Sequence, residues 1–213
     1  MMIVTSTNIG IRKEILWNNK LVSTGIFKNP TSEGIFLDKT DVRNDAVIDR
    51  KYHGGIDKAC YAFSENNYSK WQELYPELTL NPGMFGENLT IKELKESELF
   101  IGDIFQIGEA IIQVSEPRQP CFKLNLRFNS NIAVKQFFNF GDSGVYFRVI
   151  KPGLVMPNDT LILTESSQFK HSISAVFKAV YEKPNELLLQ EFISNPQLSE
   201  SIKIDLKKKW QIS

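Results

Sequence analysis

The feature that most constrains this chain is a series of strand-length apolar runs cut at short intervals by glycine–acid turns. Leu99-Phe100-Ile101, Ile104-Phe105-Gln106-Ile107 and Ala110-Ile111-Ile112-Gln113-Val114 are separated by Gly102-Asp103 and Gly108-Glu109. Apolar runs of this length, bounded by turn residues, predict β-strands. Val145 to Ile150, ended by Lys151-Pro152-Gly153, and Asp159 to Leu163 extend the series. Residues 1 to about 165 therefore read mostly as short strands, which favours a barrel or sandwich over a doubly wound sheet. Two helices interrupt them. Ser64 is a candidate N-cap for Glu65 to Tyr75, stopped by Pro76, and Ile132 to Phe140 closes at Gly141.

Beyond about residue 168 the period changes. Ser172 to Tyr181, Pro184 to Ile193 and Ser199 to Trp210 each repeat apolar residues at helical spacing, with Asn195-Pro196 as a break. The expected architecture is mainly β (α+β): a β domain over 1–167 and a small three-helix domain over 168–213.

Lys plus Arg equals Asp plus Glu, 25 each, so no global charge draws the chain to nucleic acid or to an acidic membrane. The N-terminus lacks a basic stretch followed by an apolar core, and no run reaches the eighteen apolar residues of a membrane span. Cys60 and Cys121 are the only cysteines, too few for a disulfide framework. A cytoplasmic protein is expected. Two histidines leave no room for a histidine-based metal cluster.

Three segments could carry chemistry. In Lys51-Tyr52-His53-Gly54-Gly55-Ile56-Asp57-Lys58, the paired glycines let backbone amides approach an anion, with Lys51, His53 and Lys58 adding donors. Standing alone, it reads more readily as a tight loop between strands. Gly83-Met84-Phe85-Gly86-Glu87-Asn88-Leu89 sets an acceptor and an amide beside a turn, and an Asn side chain matches the mixed edge of a heterocycle. It too could be a plain turn into a strand. In Ser115-Glu116-Pro117-Arg118-Gln119-Pro120-Cys121-Phe122-Lys123, two prolines stiffen the exit of a strand. They hold Arg118, a phosphate-binding guanidinium, in fixed relation to Cys121. Arg118 and Lys123 favour the thiolate, the form that binds soft metals or attacks. Cys60, inside Ala59-Cys60-Tyr61-Ala62-Phe63, reads as core.

Taken together the segments resemble the MOSC domain family, in particular its YiiM-like branch. The resemblance rests on Arg50 to Ala59 around His-Gly-Gly, on Phe85 to Leu89, on Gly102-Asp103-Ile104, on Val114 to Cys121, and on Thr24 to Lys28 upstream. Asn44-Asp45 stands where the family often has Gly-Asp, and Ile56 where it usually has Pro. The resemblance implies a MOSC-type β-barrel with a three-helix appendage. It also implies a molybdenum cofactor, a pterin dithiolene with a phosphate, ligated through Cys121. Lys51, His53, Gly54, Gly55 and Arg118 become candidates for holding the phosphate or pterin. The Phe85-Gly86-Glu87-Asn88 turn joins them, with Asn88 at a pterin edge. The implied activity is reduction of N-hydroxylated compounds such as hydroxylaminopurines, with electrons from a separate reductase; a homodimer is one open arrangement. Two other readings stay open. Cys121 could carry sulfur as a persulfide for metal–sulfur clusters, or the pocket could be a non-catalytic phosphate- or pterin-binding module.

Overall fold

In the computed structural model residues 1–212 are described, apart from the side chains of Lys51 and Tyr52. The strands are β1 (Ile3–Gly10), β2 (Lys13–Trp17), β3 (Lys20–Thr24), β4 (Lys28–Thr31), β5 (Ile35–Leu37), β6 (Cys60–Ser64), β7 (Leu89–Lys92), β8 (Ile104–Ile107), β9 (Ala110–Pro117), β10 (Val145–Lys151), β11 (Gly153–Val155) and β12 (Ile162–Glu165). Between them lie α1 (Arg50–His53), α2 (Tyr68–Leu74), α3 (Lys123–Arg127) and α4 (Ala133–Phe140), and α5 (Ile173–Tyr181), α6 (Glu186–Ser194) and α7 (Glu200–Trp210) follow.

Eight strands join in one sheet in the order β12-β8-β9-β10-β6-β7-β1-β4. The turn at Gly108-Glu109 does what its residues predict, delivering β8 and β9 as an antiparallel pair that continues to β10. The β6–β7 pair runs parallel, because the connection between them carries α2 and the Phe85 turn over the sheet.

The expected closed barrel is not found among the described residues. β12 pairs with β8 through Ile162, Leu163 and Glu165. The chain leading into β12 approaches β1 through the Ile3–Thr160 bridge and three backbone bonds, Val4 N to Asp159 O at 2.9 Å, Asn158 N to Val4 O at 2.8 Å and Leu161 N to Met2 O at 3.0 Å. The far edge, β4, pairs only with β1 in this sheet. Closure needs a continuous ladder between edges, and here the solvent-exposed β12 turns away after one bridge. Leu99-Phe100-Ile101 is likewise a turn and not a strand. Asp103 Oδ2 accepts the Phe100 amide at 3.0 Å, and a bridge to Ser172 takes the remaining pairing.

Two apolar clusters fill the interior. One lies on the sheet, from Val4, Leu37 and Cys60 to Ile112 and Phe147, and it takes in Ile173, Val176, Phe192, Ile202 and Leu206 of the three C-terminal helices. Those helices are capped at their starts: the side chains of Ser172 and Ser199 accept the amides of Ala175 and Ile202. For α6 the cap is Asn185, one residue past Pro184. The other cluster is aromatic. Trp71 of α2, Phe85, Phe128 and Phe137 of α4 pack on Phe63 of β6, with Phe63 and Phe85 stacked at 4.1 Å. Ser64 does not cap its helix; a 3-10 turn over Glu65–Asn67 precedes α2. Among the described residues no helix is long and apolar enough to cross a membrane.

Candidate functional site

The site forms where β9 runs out. Pro117 still pairs with Val145 of β10, and the chain then leaves the sheet through Arg118-Gln119-Pro120 to Cys121, before α3. Opposite stand the end of α1 with His53, the 3-10 turn Ile56–Lys58, and the segment from Asp45 to Asp49. These walls enclose a cavity of about 640 Å³, mouth included, lined by Lys28, Asp45, His53, Lys58, Tyr61, Asn88, Arg118, Cys121, Lys123 and Tyr146 among others. The two loops approach closely enough that a Cβ at Gly25 would lie 1.7 Å from the Ala46 carbonyl oxygen, so glycine is required there.

Arg118 is the most telling member. It is 4% exposed, its guanidinium lies over the rings of Tyr61 (4.9 Å) and Phe137 (5.5 Å), and its Nη1 is buried without a hydrogen-bond partner. Among the described residues neither Arg118 nor Lys123 has a carboxylate at ion-pair distance. Lys58 pairs with Glu116 at 3.2 Å and Lys28 pairs with Asp45. Burial, and then Arg118, Lys123 and Lys58, lower the His53 imidazole from 6.5 to about 4, which keeps it neutral near pH 7. Burial pushes the Tyr61 and Tyr146 phenols well above their ordinary value. Cys121 is a free, half-buried thiol on this wall. Cys60 is fully buried, and its thiol is pushed up to about 12 by that burial, as expected of a core residue.

The structure thus brings Cys121, Arg118, His53, Gly86 and Asn88 to one cavity. In the Phe85–Asn88 turn the side chains have partners within the chain. Phe85 is fully buried in the aromatic cluster, because its ring packs against Trp71 and Phe63. Glu87 is fully buried and spends its carboxylate on the chain itself: it accepts from the Gly83 amide (2.8 Å), the Phe85 amide (3.0 Å), Thr90 Oγ1 (2.9 Å) and the Tyr68 hydroxyl. Asn88 reaches the cavity, but its amide is already used. Nδ2 donates to Asp45 Oδ2 (3.0 Å), and Oδ1 accepts from the Tyr61 amide (3.3 Å). Gly86, at φ +78°, lets the turn close over the site; a Cβ there would lie 3.0 Å from the Ile26 side chain. Gly54 and Gly55 connect α1 to the 3-10 turn, outside the lining. The side chain of Lys51 lies outside the described residues.

Lys28, Asp45, Tyr61 and Tyr146 are site residues that sequence reasoning misses. Tyr61 and Tyr146 read as ordinary strand aromatics in β6 and β10, and only their pairing across those strands turns them toward Arg118. Lys28 and Asp45 lie 17 residues apart in sequence; the Thr24 to Lys28 and Asn44-Asp45 similarities carry the one signal that points to them.

Among the described residues no three His, Cys, Asp or Glu side chains converge on a metal position. A metal here would have to arrive with most of its own ligands, needing one soft donor from the protein and a counter-charge for an acidic tail. Cys121, the unpartnered Arg118 Nη1 and Lys123 fit that demand.

The chain belongs to the MOSC domain family, whose model matches residues 49–162. Within that family it is similar to the YiiM-like branch. It is 34% identical to the uncharacterized protein YflK of Bacillus subtilis over 97% of this chain and 93% of that one. It is 39% identical to YiiM of Escherichia coli over 61% and 58%. The crystal structure of YiiM from Geobacillus stearothermophilus superposes over the full length of both chains, with a TM-score of 0.83 at 31% identity. A protein of Gibberella moniliformis called a reductase matches at 33% identity over 75% of this chain, which is 29% of that protein.

Proposed function

We propose that this chain is a molybdenum-cofactor-dependent reductase of N-hydroxylated compounds such as hydroxylaminopurines. One observation carries the reading: a buried guanidinium with an unused donor, Arg118 Nη1, shares a cavity with the free thiol of Cys121. MOSC domains are associated with molybdenum-cofactor binding in general, and a MOSC relative called a reductase supports redox chemistry. Arg118 and Lys123 would hold the cofactor's phosphate, the guanidinium by paired donors, and Cys121 would be the protein's sulfur ligand to the metal. When bound, that group supplies the two-electron chemistry.

The chain's own residues do the rest. Arg118, pinned against Tyr61 and Phe137, offers its donors without reorganising. His53, neutral at pH 7, adds one ring donor and one acceptor without adding charge. The overall change is R–NHOH plus two electrons and two protons to R–NH2 and water, with the N–O bond broken and the electrons drawn from a separate reductase.

The test is elemental analysis of protein made in a cofactor-competent host, beside turnover of hydroxylaminopurine. The parent should carry molybdenum and reduce the substrate, while Cys121→Ala should keep its fold and lose both. A Cys121→Ala protein working at the parent rate would refute the metal-ligand role. An active parent free of molybdenum but bearing a persulfide would replace the reading with sulfur transfer.

A further inference from the structure

A second chamber, about 1300 Å³ on the same basis, opens on the other side of Cys121. It shares Asp49, His53, Lys58, Lys123 and Tyr146 with the inner cavity, and Cys121 stands in the wall common to both. The outer chamber's own walls are the Gln119-Pro120-Cys121-Phe122 loop on one side and helix α7 on the other. Two hydrogen bonds fix their separation. Gln119 Nε2 donates to Asp205 Oδ2 at 2.9 Å, and Ser201 Oγ donates to Glu116 Oε2 at 2.8 Å.

The chemistry of the two spaces differs. The inner one alone holds Arg118, whose Nη1 has no hydrogen-bond partner among the described residues. The outer one adds no cation of its own; of its three carboxylates, Asp49 is shared with the inner cavity, while Glu116 and Asp205 are engaged by Lys58 and Ser201 and by Gln119. It does add two large apolar side chains that are left open to solvent: Phe122, 51% exposed, and Ile204, 59% exposed. An apolar pair in a preformed concave space with a polar border suits a flat uncharged ring.

We propose that this outer chamber is the substrate site, and that Phe122 and Ile204 of α7 make the enzyme prefer a ring-bearing N-hydroxylated amine over a small one. The inference rests on the reductase reading and assigns the C-terminal helices a part in it: α7 closes the chamber whose inner wall bears Cys121. A ring entering between Phe122 and Ile204 would bring its N-hydroxyl group toward that wall.

Phe122→Ala and Ile204→Ala change exposed side chains and should leave the fold intact. With the cofactor-loaded protein and dithionite as reductant, each should raise KM for hydroxylaminopurine about tenfold, the size of a lost stacking or apolar contact. KM for hydroxylamine itself should stay within about twofold. Calorimetric titration of adenine, the ring-bearing product, into the same proteins gives a readout free of turnover and should show the same loss. Equal KM values for the purine across parent and variants would overturn the inference. So would a defect seen only with a protein electron donor and absent with dithionite, since that would make Phe122 and Ile204 a donor-docking face. If the loaded parent reduces neither compound, the reductase reading fails, whereas adenine binding still reports on the chamber.

Discussion

Replacing Arg118 with Met should make the cofactor-free protein more stable, and the size of the gain follows from the burial. The guanidinium is 4% exposed and has no carboxylate at ion-pair distance among the described residues, and one of its nitrogens lacks a partner. A buried charge without a counter-ion costs several kcal/mol. Two aromatic faces at 4.9 and 5.5 Å return about 1–2 kcal/mol each at most. Met is close in length and keeps the apolar contacts with Tyr61 and Phe137, so the net gain should be about 1–3 kcal/mol, or roughly 2–4 °C in Tm per kcal/mol. Urea unfolding in phosphate-free buffer measures it. Adding phosphate at ten times its Kd should then stabilise the parent by about 1.4 kcal/mol and leave Arg118→Met unmoved. Arg118 is also a leading cause of the low His53 value after burial, so the His53 ring resonances should titrate at higher pH in the variant. An Arg118→Met protein less stable than the parent by about 1 kcal/mol or more would refute the reasoning, because the guanidinium would then be a structural strut.

Other expectations concern the frame around the cavity. His53 is held near 4 in the folded chain against 6.5 unfolded. The unfolded chain therefore takes up its proton first as pH falls, and stability contributed by neutral His53 is present above 6.5 and is lost toward 4. Between pH 7 and pH 4.5, His53→Gln should gain on the parent by at most about 2.5 kcal/mol in urea midpoints; a constant gap would contradict this. Glu87→Ala strands the Gly83 and Phe85 amides and Thr90 Oγ1, and should cost about 3 kcal/mol or more, read by thermal unfolding. Ser172→Ala removes the α5 cap bond to the Ala175 amide and should cost about 1 kcal/mol, and Ser64→Ala, which breaks no cap, should not weaken α2.

Local signals were legible in the sequence and long-range ones were not. Ser172 and Ser199 sit beside apolar periodicity, and both caps formed because capping needs only neighbours three residues on. Ser64 has the same chemistry, yet its hydroxyl caps nothing, since β6 carries it into the buried strand and a 3-10 turn intervenes. Pro117, Arg118, Pro120 and Cys121 could be read as a stiff cationic thiol loop because the stiffness is covalent. Glu87 and Asn88 looked like ligand groups because they stand beside the Gly83–Gly86 turn. Their hydrogen bonds run to Tyr68, Thr90, Asp45 and Tyr61, partners that only the fold brings near. A closed barrel is not found among the described residues for the same reason: strand count is local, but closure depends on where the last strand goes.

The family match spans residues 49–162, but half of the cavity's frame lies before it. β1 pairs with β7 inside the matched region, and from positions upstream Asp45 accepts from Asn88 and pairs with Lys28. A fragment cut at the match boundaries would keep Cys121 and Arg118 yet leave β7 with a bare edge and Asn88 without Asp45. The stretch that the family model matches is thus smaller than the unit that frames the cavity. Transplanting this chemistry into another scaffold would require carrying the first 48 residues along with the recognisable motifs.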